Sequence, residues 1–288
     1  MGWTEEQVLA SLREMKEIGL LLRLGPILDT RGLGYASTLV AVSAQAGDID
    51  RLAAAVGRWK AVTHSYGRRH RFNLWFTLTL RSTEELNRAV ARCRPMEGVK
   101  ELRDLRTLKK YKADTRYPLS RHRFSPCPCR ASAAPPDRRD LDLLSLLSDG
   151  LDLVPRPFEG PANALGIAQD ALLDRLAACM EAGHVRRFSG VLSHRSLGFR
   201  KHLLCIKEPA PGEADSIAEA LQERAEISHL YLREDKAQDR LVFCAMVHCR
   251  SETHWLRLRE ETPLLQTFQA LETTRCYKRS PFRIETSL

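Results

Sequence analysis

Apolar and polar positions alternate along the first third of the chain in a repeating order of short and long periods. Residues 37–44 (Ser-Thr-Leu-Val-Ala-Val-Ser-Ala) are rich in β-branched and small apolar types and predict a strand. Residues 48–58 switch to helical spacing, with Ile49, Leu52, Ala53 and Val56 on one face and Asp48 placed to cap the start. Two further strands follow at 62–68 and 73–80, separated by a polar turn. A second helix is expected over 83–93, with Leu86, Val90 and Cys93 inward, then a closing strand over 99–111. The order βαββαβ is that of a ferredoxin-like unit.

The same order returns near the C-terminus: strand 202–207, helix 215–224, strands 227–233 and 240–248, helix 252–260 and a tail strand ending near Tyr277. Residues align as well as elements. Arg31, Gly34 and Tyr35 match Arg195, Gly198 and Phe199, and His64, Tyr66 and Arg68 match His229, Tyr231 and Arg233. Upstream, Lys16-Glu-Ile-Gly19 matches Met180-Glu-Ala-Gly183. Separate blocks in one order mark an internal duplication.

A different unit precedes the second copy. Residues 141–147 form a short amphipathic helix, and 162–165, Gly166 and 169–182 read as helix, turn, helix. The strand expected at 185–188 completes a winged helix–turn–helix. The first copy keeps only its tail, residues 4–18, so a truncated first helix–turn–helix is expected. The resulting division is a remnant at 1–22, a first ferredoxin-like domain at 23–112 and a basic, proline-rich linker at 113–139. The winged helix–turn–helix then spans 140–188 and the second ferredoxin-like domain 189–288. The fold class is α+β, with two units arranged as an intramolecular pseudo-dimer. Within the linker, Cys127-Pro-Cys129 lacks the second pair that a metal site of this type needs, and no metal is expected.

Charge narrows the partners. The chain of 288 residues carries a formal net charge of +9, which calls for an anionic partner: nucleic acid, or a small polycarboxylate or phosphorylated ligand. No run reaches the ~20 apolar residues of a membrane span, and residues 1–14 lack a signal-peptide pattern, so a cytoplasmic protein is expected. The cysteines are scattered, with Cys179, Cys205 and Cys244 in apolar surroundings, which suits reduced core thiols.

Two functional classes compete. A helix–turn–helix beside a ferredoxin-like domain suits a ligand-responsive, DNA-binding transcription regulator. The helix that would read bases, 169–180, offers one arginine and two aspartates, and its counterpart begins Thr4-Glu-Glu. Acidic residues there repel phosphate, which makes DNA a poor partner. The polar types concentrate instead in the ferredoxin-like units. Alternate residues of a strand share a face, so His64, Tyr66 and Arg68 project together, as do His229, Tyr231 and Arg233. Such a row can carry a proton, donate a hydrogen bond and fork a carboxylate. His194-Arg195, opposite Thr30-Arg31 of the first copy, and His248, opposite Leu80, add proton carriers to the second copy only. His202 and His254 have no repeat partner and are expected on the surface.

Several blocks resemble the siroheme decarboxylase family, whose members share the fold of Lrp/AsnC regulators. In the second half these are residues 185–199, Ser-His-Leu-Tyr-Leu-Arg at 228–233 and Ala-Met-Val-His at 245–248. In the first half they are 33–41, His-Ser-Tyr-Gly-Arg at 64–68 and Asn-Leu-Trp-Phe-Thr-Leu at 73–78, and 149–158 fits the start of the family's helix–turn–helix. The resemblance implies a fused pair of subunits of the haem d1 type. Such an enzyme removes the carboxyl groups of the C12 and C18 acetates of siroheme to give 12,18-didecarboxysiroheme. It implies no cofactor, the iron arriving with the substrate, and association with related subunits or with itself. His194 and His229 are then the expected proton donors. Arg31, Arg195, Arg233, Arg68, Tyr66, Tyr231, His64 and His248 are the expected substrate-binding groups.

Overall fold

The computed structural model describes residues 2–113, 115, 135–207 and 212–284. Its first half runs α1 (Glu5–Glu17), β1 (Leu21–Leu28), β2 (Ala36–Ala44), α2 (Ile49–Gly57), β3 (Val62–Arg68), β4 (Leu74–Leu80), α3 (Thr83–Cys93) and β5 (Val99–Ala113). The second runs α4 (Arg138–Leu147), α5 (Glu159–Leu165), α6 (Gln169–Glu181), β6 (Val185–Leu192), β7 (Arg200–Lys207), α7 (Glu213–Gln222), β8 (Ile227–Asp235), β9 (Arg240–Cys249), α8 (Glu252–Glu261), β10 (Gln269–Leu271) and β11 (Thr273–Arg279). Most of the linker, including Cys127 and Cys129, lies outside the described residues.

Two compact units form. The larger comprises Ala36–Pro126 and Gly198–Ser280. Its strands lie in the order β10-β7-β9-β8-β5-β2-β4-β3-β11. Only Glu272 separates β10 from β11, so the two ends of that order are joined by the chain and the sheet closes on itself. Each copy contributes the same half. The 15-residue β5 pairs with β2 over its first part and with β8 over its second. In the other copy β10 pairs with β7, and β11 with β3. The duplication is therefore an intramolecular pseudo-dimer within one sheet, and the tail strand expected as a single element is divided at Glu272 to serve both seams.

Strand alternation sorts this sheet into two faces. Val40, Val42, Leu74, Phe76 and Leu78 turn to α2 and α3, where Leu52, Ala53, Val56, Leu86, Val90 and Cys93 meet them. Leu204, Leu230, Phe243, Ala245 and Val247 likewise meet α7 and α8. Fully buried Phe76 and Phe243 each contribute roughly 1.5–3 kcal/mol by leaving water. The opposite, inner face carries Ala41, Trp75, Leu105, Leu203, Val242, Cys244 and Leu271. The expected cap of α2 differs: Asp48 sits at the cap position without a capping hydrogen bond. Its carboxylate pairs with Arg51 at 2.8 Å. That carboxylate also crowds Gly98, where φ is +88° and a Cβ would meet Asp48 at 2.7 Å, so only glycine suits the turn into β5.

The smaller unit comprises Met1–Tyr35, Cys127–Leu197 and Pro281–Leu288. Helices α4, α5 and α6 pack through Leu143, Leu144, Leu147, Ala162, Leu172 and Leu176. Thr4 caps α1 with a reciprocal Gln7 bond, and Asp137 caps α4 with Asp140 in the same way. Strand β1, which sequence reading missed, pairs antiparallel with β6 and sets Pro26 opposite Phe188. Residues 23–35 and 189–197 thus fold with this unit, not with the ferredoxin-like domains to which the sequence reading assigned them.

Candidate active site

The inner face of the closed sheet holds both His-x-Tyr-x-Arg rows. Tyr66 lies opposite Trp75 on β4, and Tyr231 opposite Cys244 on β9, both of them inner-face residues. In one row the His229 and Tyr231 rings stack at 5.9 Å and the Arg233 guanidinium lies 4.8 Å from the Tyr231 ring. In the other, His64 and Tyr66 stack at 6.3 Å and Arg68 lies 5.2 Å from the Tyr66 ring. The six residues expected to act in two rows are brought together as two rows with one geometry.

Both arginines are anchored in the sheet through one nitrogen. Arg233 Nη1 donates to Leu105 O at 3.1 Å and to Thr107 Oγ1 at 3.0 Å. Arg68 Nη1 donates to Leu271 O at 3.1 Å and to Thr273 Oγ1. Both Nε atoms are buried without a partner among the described residues. Each guanidinium is thus tied across a seam through Nη1, and its Nε edge is not used by those bonds. Burial also lowers the Arg68 pKa.

The ladders of β3 and β8 slip just before each histidine, between Val62 and His64 and between Ile227 and His229. Such an irregularity re-aims side chains that would otherwise alternate. Thr63 Oγ1 then lies 3.0 Å from His64 Nδ1, and Ser228 Oγ lies 2.8 Å from His229 Nδ1. Here the copies diverge. Ser228 Oγ also lies 2.7 Å from His248 Nε2, giving a chain His229–Ser228–His248 that is buried at Ser228 and His248 and half-buried at His229. The backbone N–H of His248 donates to Glu226 O, as that of Thr79 donates to Ala61 O. Thr79, not Leu80, is therefore the counterpart of His248. Sequence reasoning missed Ser228, although a hydroxyl residue precedes the histidine in both copies.

Electrostatics separate the rows further. Burial, then the charges of Arg279 and Lys201, push His64 down to about 4, so it is neutral at physiological pH. Near the second row, Cys205 and Cys244 face each other across β7 and β9 with sulfurs 3.5 Å apart. Cys205 is held protonated as the partner of Cys244, whose pKa is lowered by that hydrogen bond and by Arg233. His202, expected on the surface, stacks on Trp255 at 4.5 Å and its pKa is lowered, chiefly by burial. His254 is only half-exposed, 3.5 Å from Glu226.

His194, Arg195 and Arg31 belong to the smaller unit. His194 and Arg195 lie in the turn after β6, half-buried and exposed respectively, and exposed Arg31 lies in the matching turn after β1. Asp29 Oδ1 accepts from the Arg31 and Gly32 amides at 3.1 Å, and Ser193 Oγ accepts from the Ser196 amide at 3.2 Å. In the same unit Asp140, Cys179 and His184 place donor atoms within 4.8 Å of one another, a set that could hold a metal ion. Arg175 already pairs with Asp140 at 2.6 Å, and burial, then the Asp140 carboxylate, pushes the Cys179 thiol up to about 12.

A pseudo-dimeric ferredoxin-like sheet with paired polar rows on its inner face defines a ligand-binding class, and comparison with known proteins agrees. The family model "AsnC-like ligand binding domain" matches residues 32–112 and 196–279, more than half of the chain. A siroheme decarboxylase of Hydrogenobacter thermophilus is 28% identical over 286 residues, covering 97% of this chain and 85% of that protein. The siroheme decarboxylase NirD subunit of Pseudomonas aeruginosa is 36% identical over 123 residues, covering 43% of this chain and 81% of the subunit. The crystal structure of the siroheme decarboxylase NirDL superposes with a TM-score of 0.71 at 25% identity, over 99% of this chain and 86% of that one. The same enzyme in co-complex with an iron-uroporphyrin III analogue gives 0.71 at 24% identity, over 98% and 85%. The chain belongs to the siroheme decarboxylase family, built on the AsnC-like ligand-binding domain.

Proposed function

We propose that this protein removes the carboxyl groups of the C12 and C18 acetates of siroheme, forming 12,18-didecarboxysiroheme without a redox cofactor. The observation that carries the reading is the inner face of the closed sheet, where two His-Tyr-Arg rows stand in a basic protein whose relatives are siroheme decarboxylases. Siroheme offers eight carboxylates and brings its own iron. Loss of CO2 breaks the bond between the acetate methylene and its carboxylate, and the electron pair moves into the macrocycle when a proton is delivered beside it. A second proton completes the methyl group, and the proton first placed on the macrocycle is released, which restores its conjugation. The balance is one proton taken up per CO2 released, so the protein must supply a proton donor and hold the carboxylates.

His229 suits the donor role because its Nδ1 is engaged by Ser228, which fixes how the ring is held. His64 suits holding, because Lys201 and Arg279 surround a neutral ring with positive charge that a substrate carboxylate can neutralise. Tyr66 and Tyr231, stacked on their histidines, present hydroxyls to the same face. The same residue chemistry assigns His194 as a donor and Arg31 and Arg195 as carboxylate-binding groups, and His248 acts through Ser228. Self-association, or association with related subunits, fits a family whose members include separate subunits.

The test is an anaerobic titration with siroheme followed by mass analysis of the tetrapyrrole. The expected result is a shift in the absorption spectrum and successive loss of one and two CO2. An unchanged spectrum and intact siroheme overturn the reading.

A further inference from the structure

We propose that Cys205 and Cys244 form a redox-active dithiol on the inner face of the sheet, which a peroxide oxidises to a disulfide bridging β7 and β9. The inference does not rest on the decarboxylase reading.

Strand register sets the pair. β7 and β9 run antiparallel without a shift, and Cys205 stands directly opposite Cys244. Residues so placed have Cα atoms roughly 4.5–5.5 Å apart, inside the span of about 4.4–6.8 Å that a disulfide bridges. The two Sγ atoms already lie 3.5 Å apart. Bringing them to the ~2.0 Å of an S–S bond takes side-chain rotation, not movement of a strand. Packing alone does not call for cysteine here. The same two positions of the first copy hold Ala41 and Trp75, which also stand opposite each other on the inner face. One copy of the duplicated sheet closes this spot with apolar side chains, and the other places two sulfurs in contact.

The surroundings favour a thiolate. Arg233 favours negative charge on both sulfurs, and Arg68 favours it on Cys205. Cys244 loses its proton more readily than an ordinary thiol, first because Cys205 donates to it and then because of Arg233. Thiolates held beside arginine are the reactive ones, and Cys205 is only half-buried. By contrast, burial first of all pushes the thiols of Cys93, Cys179 and Cys249 up to about 12, so they stay protonated.

The chemistry balances. The Cys244 thiolate attacks one peroxide oxygen, the O–O bond breaks, and hydroxide leaves as water with the proton lost from Cys244. The Cys205 sulfur then attacks the sulfur of the resulting sulfenic acid. An S–S bond forms, and the hydroxyl leaves with the Cys205 proton as a second water. Two thiols give up two electrons, and one hydrogen peroxide is reduced to two waters.

The experiment treats the folded, reduced full chain with hydrogen peroxide, alkylates the remaining thiols in urea and maps the peptides by mass spectrometry without reduction. The expected result is a peptide pair linked through Cys205 and Cys244, lighter by two hydrogens than its reduced parts. Those two of the eight cysteines leave the alkylated pool and return to it after dithiothreitol. Cys93, Cys179 and Cys249 react with peroxide at least ~10-fold more slowly. Cys205→Ala, which copies Ala41, abolishes the link and leaves Cys244 without a substitute partner. In the chain unfolded in urea before peroxide is added, the Cys205–Cys244 link loses its preference over other pairings. If both residues remain alkylatable, if other cysteines consume the peroxide instead, if Cys244 finds another partner in Cys205→Ala, or if the link forms as readily in urea, the dithiol assignment fails.

Discussion

Arg68 and Arg233 close the sheet in the same way at its two seams. Each Nη1 donates to a backbone carbonyl and a threonine hydroxyl on the strand that arrives from the other copy, Leu271 and Thr273 for Arg68, Leu105 and Thr107 for Arg233. Truncating either leaves buried acceptors without a donor, at about 1–3 kcal/mol for each group stranded. Arg68→Ala and Arg233→Ala are each expected to lower stability by that order in urea denaturation. The seams share no partner, so the double variant should lose about the sum; a strongly non-additive result contradicts independent seams.

His64 gives the fold an acid-sensitive element. Its pKa is 6.5 when unfolded and about 4 when folded, so the unfolded chain binds more protons between those values. Stability from neutral His64 is therefore complete above pH 6.5 and lost as pH falls toward 4, up to ~3 kcal/mol. His64→Gln should flatten the stability curve over that window. Equal slopes in the two proteins, measured by denaturant unfolding at pH 7, 5.5 and 4.5, count against it.

Strand and helix content was legible because both sides of each strand obey simple periods. Residues 62–68 and 83–93 fold as their patterns demand. Strand β1 was not legible, because Gly25-Pro26 interrupts the apolar run and the pairing that rescues it comes from β6, far along the chain. The sharing of β5 between two copies is likewise a tertiary fact with no local sign. The two rows were readable from the repeat, but the counterpart of His248 was placed one residue off, at Leu80. The hairpin from β8 to β9 is longer than that from β3 to β4, and a one-residue error in a strand changes the face. Ser228 escaped because strand alternation sends it away from His229, and only the slipped ladder brings the two together.

The two rows should respond differently to the same substitution. His229→Gln is expected to reduce CO2 release by roughly 100-fold or more, the usual worth of a general acid, with siroheme binding retained. His64→Gln should act mainly on KM. Steady-state kinetics with anaerobic siroheme separates the two effects, and equal losses of kcat in both variants would contradict the division of labour. His194→Ala belongs in the same series and decides whether that turn histidine contributes to kcat.

Helix α6 begins with Gln169 and Asp170, and α1 with Glu5 and Glu6. Carboxylates at the ends that would approach DNA oppose phosphate contact. Fluorescence anisotropy with duplex DNA should therefore show only weak binding, without sequence preference, that disappears as salt rises. Tight and sequence-selective binding at physiological salt would instead favour a regulator.

Lys201 on β7 and Arg279 on β11 come from the second copy yet act on His64 of the first. Both charges lower its pKa, although burial is the larger cause. Lys201→Ala combined with Arg279→Ala should therefore raise the His64 pKa only part of the way from about 4 toward 6.5, a shift that NMR titration of the ring can follow. If the same two groups hold a substrate carboxylate, the double variant also weakens siroheme binding, because an ion pair and its charge-assisted hydrogen bond are lost together. A raised pKa with unchanged affinity would confine Lys201 and Arg279 to tuning His64 and place the carboxylate elsewhere on the inner face.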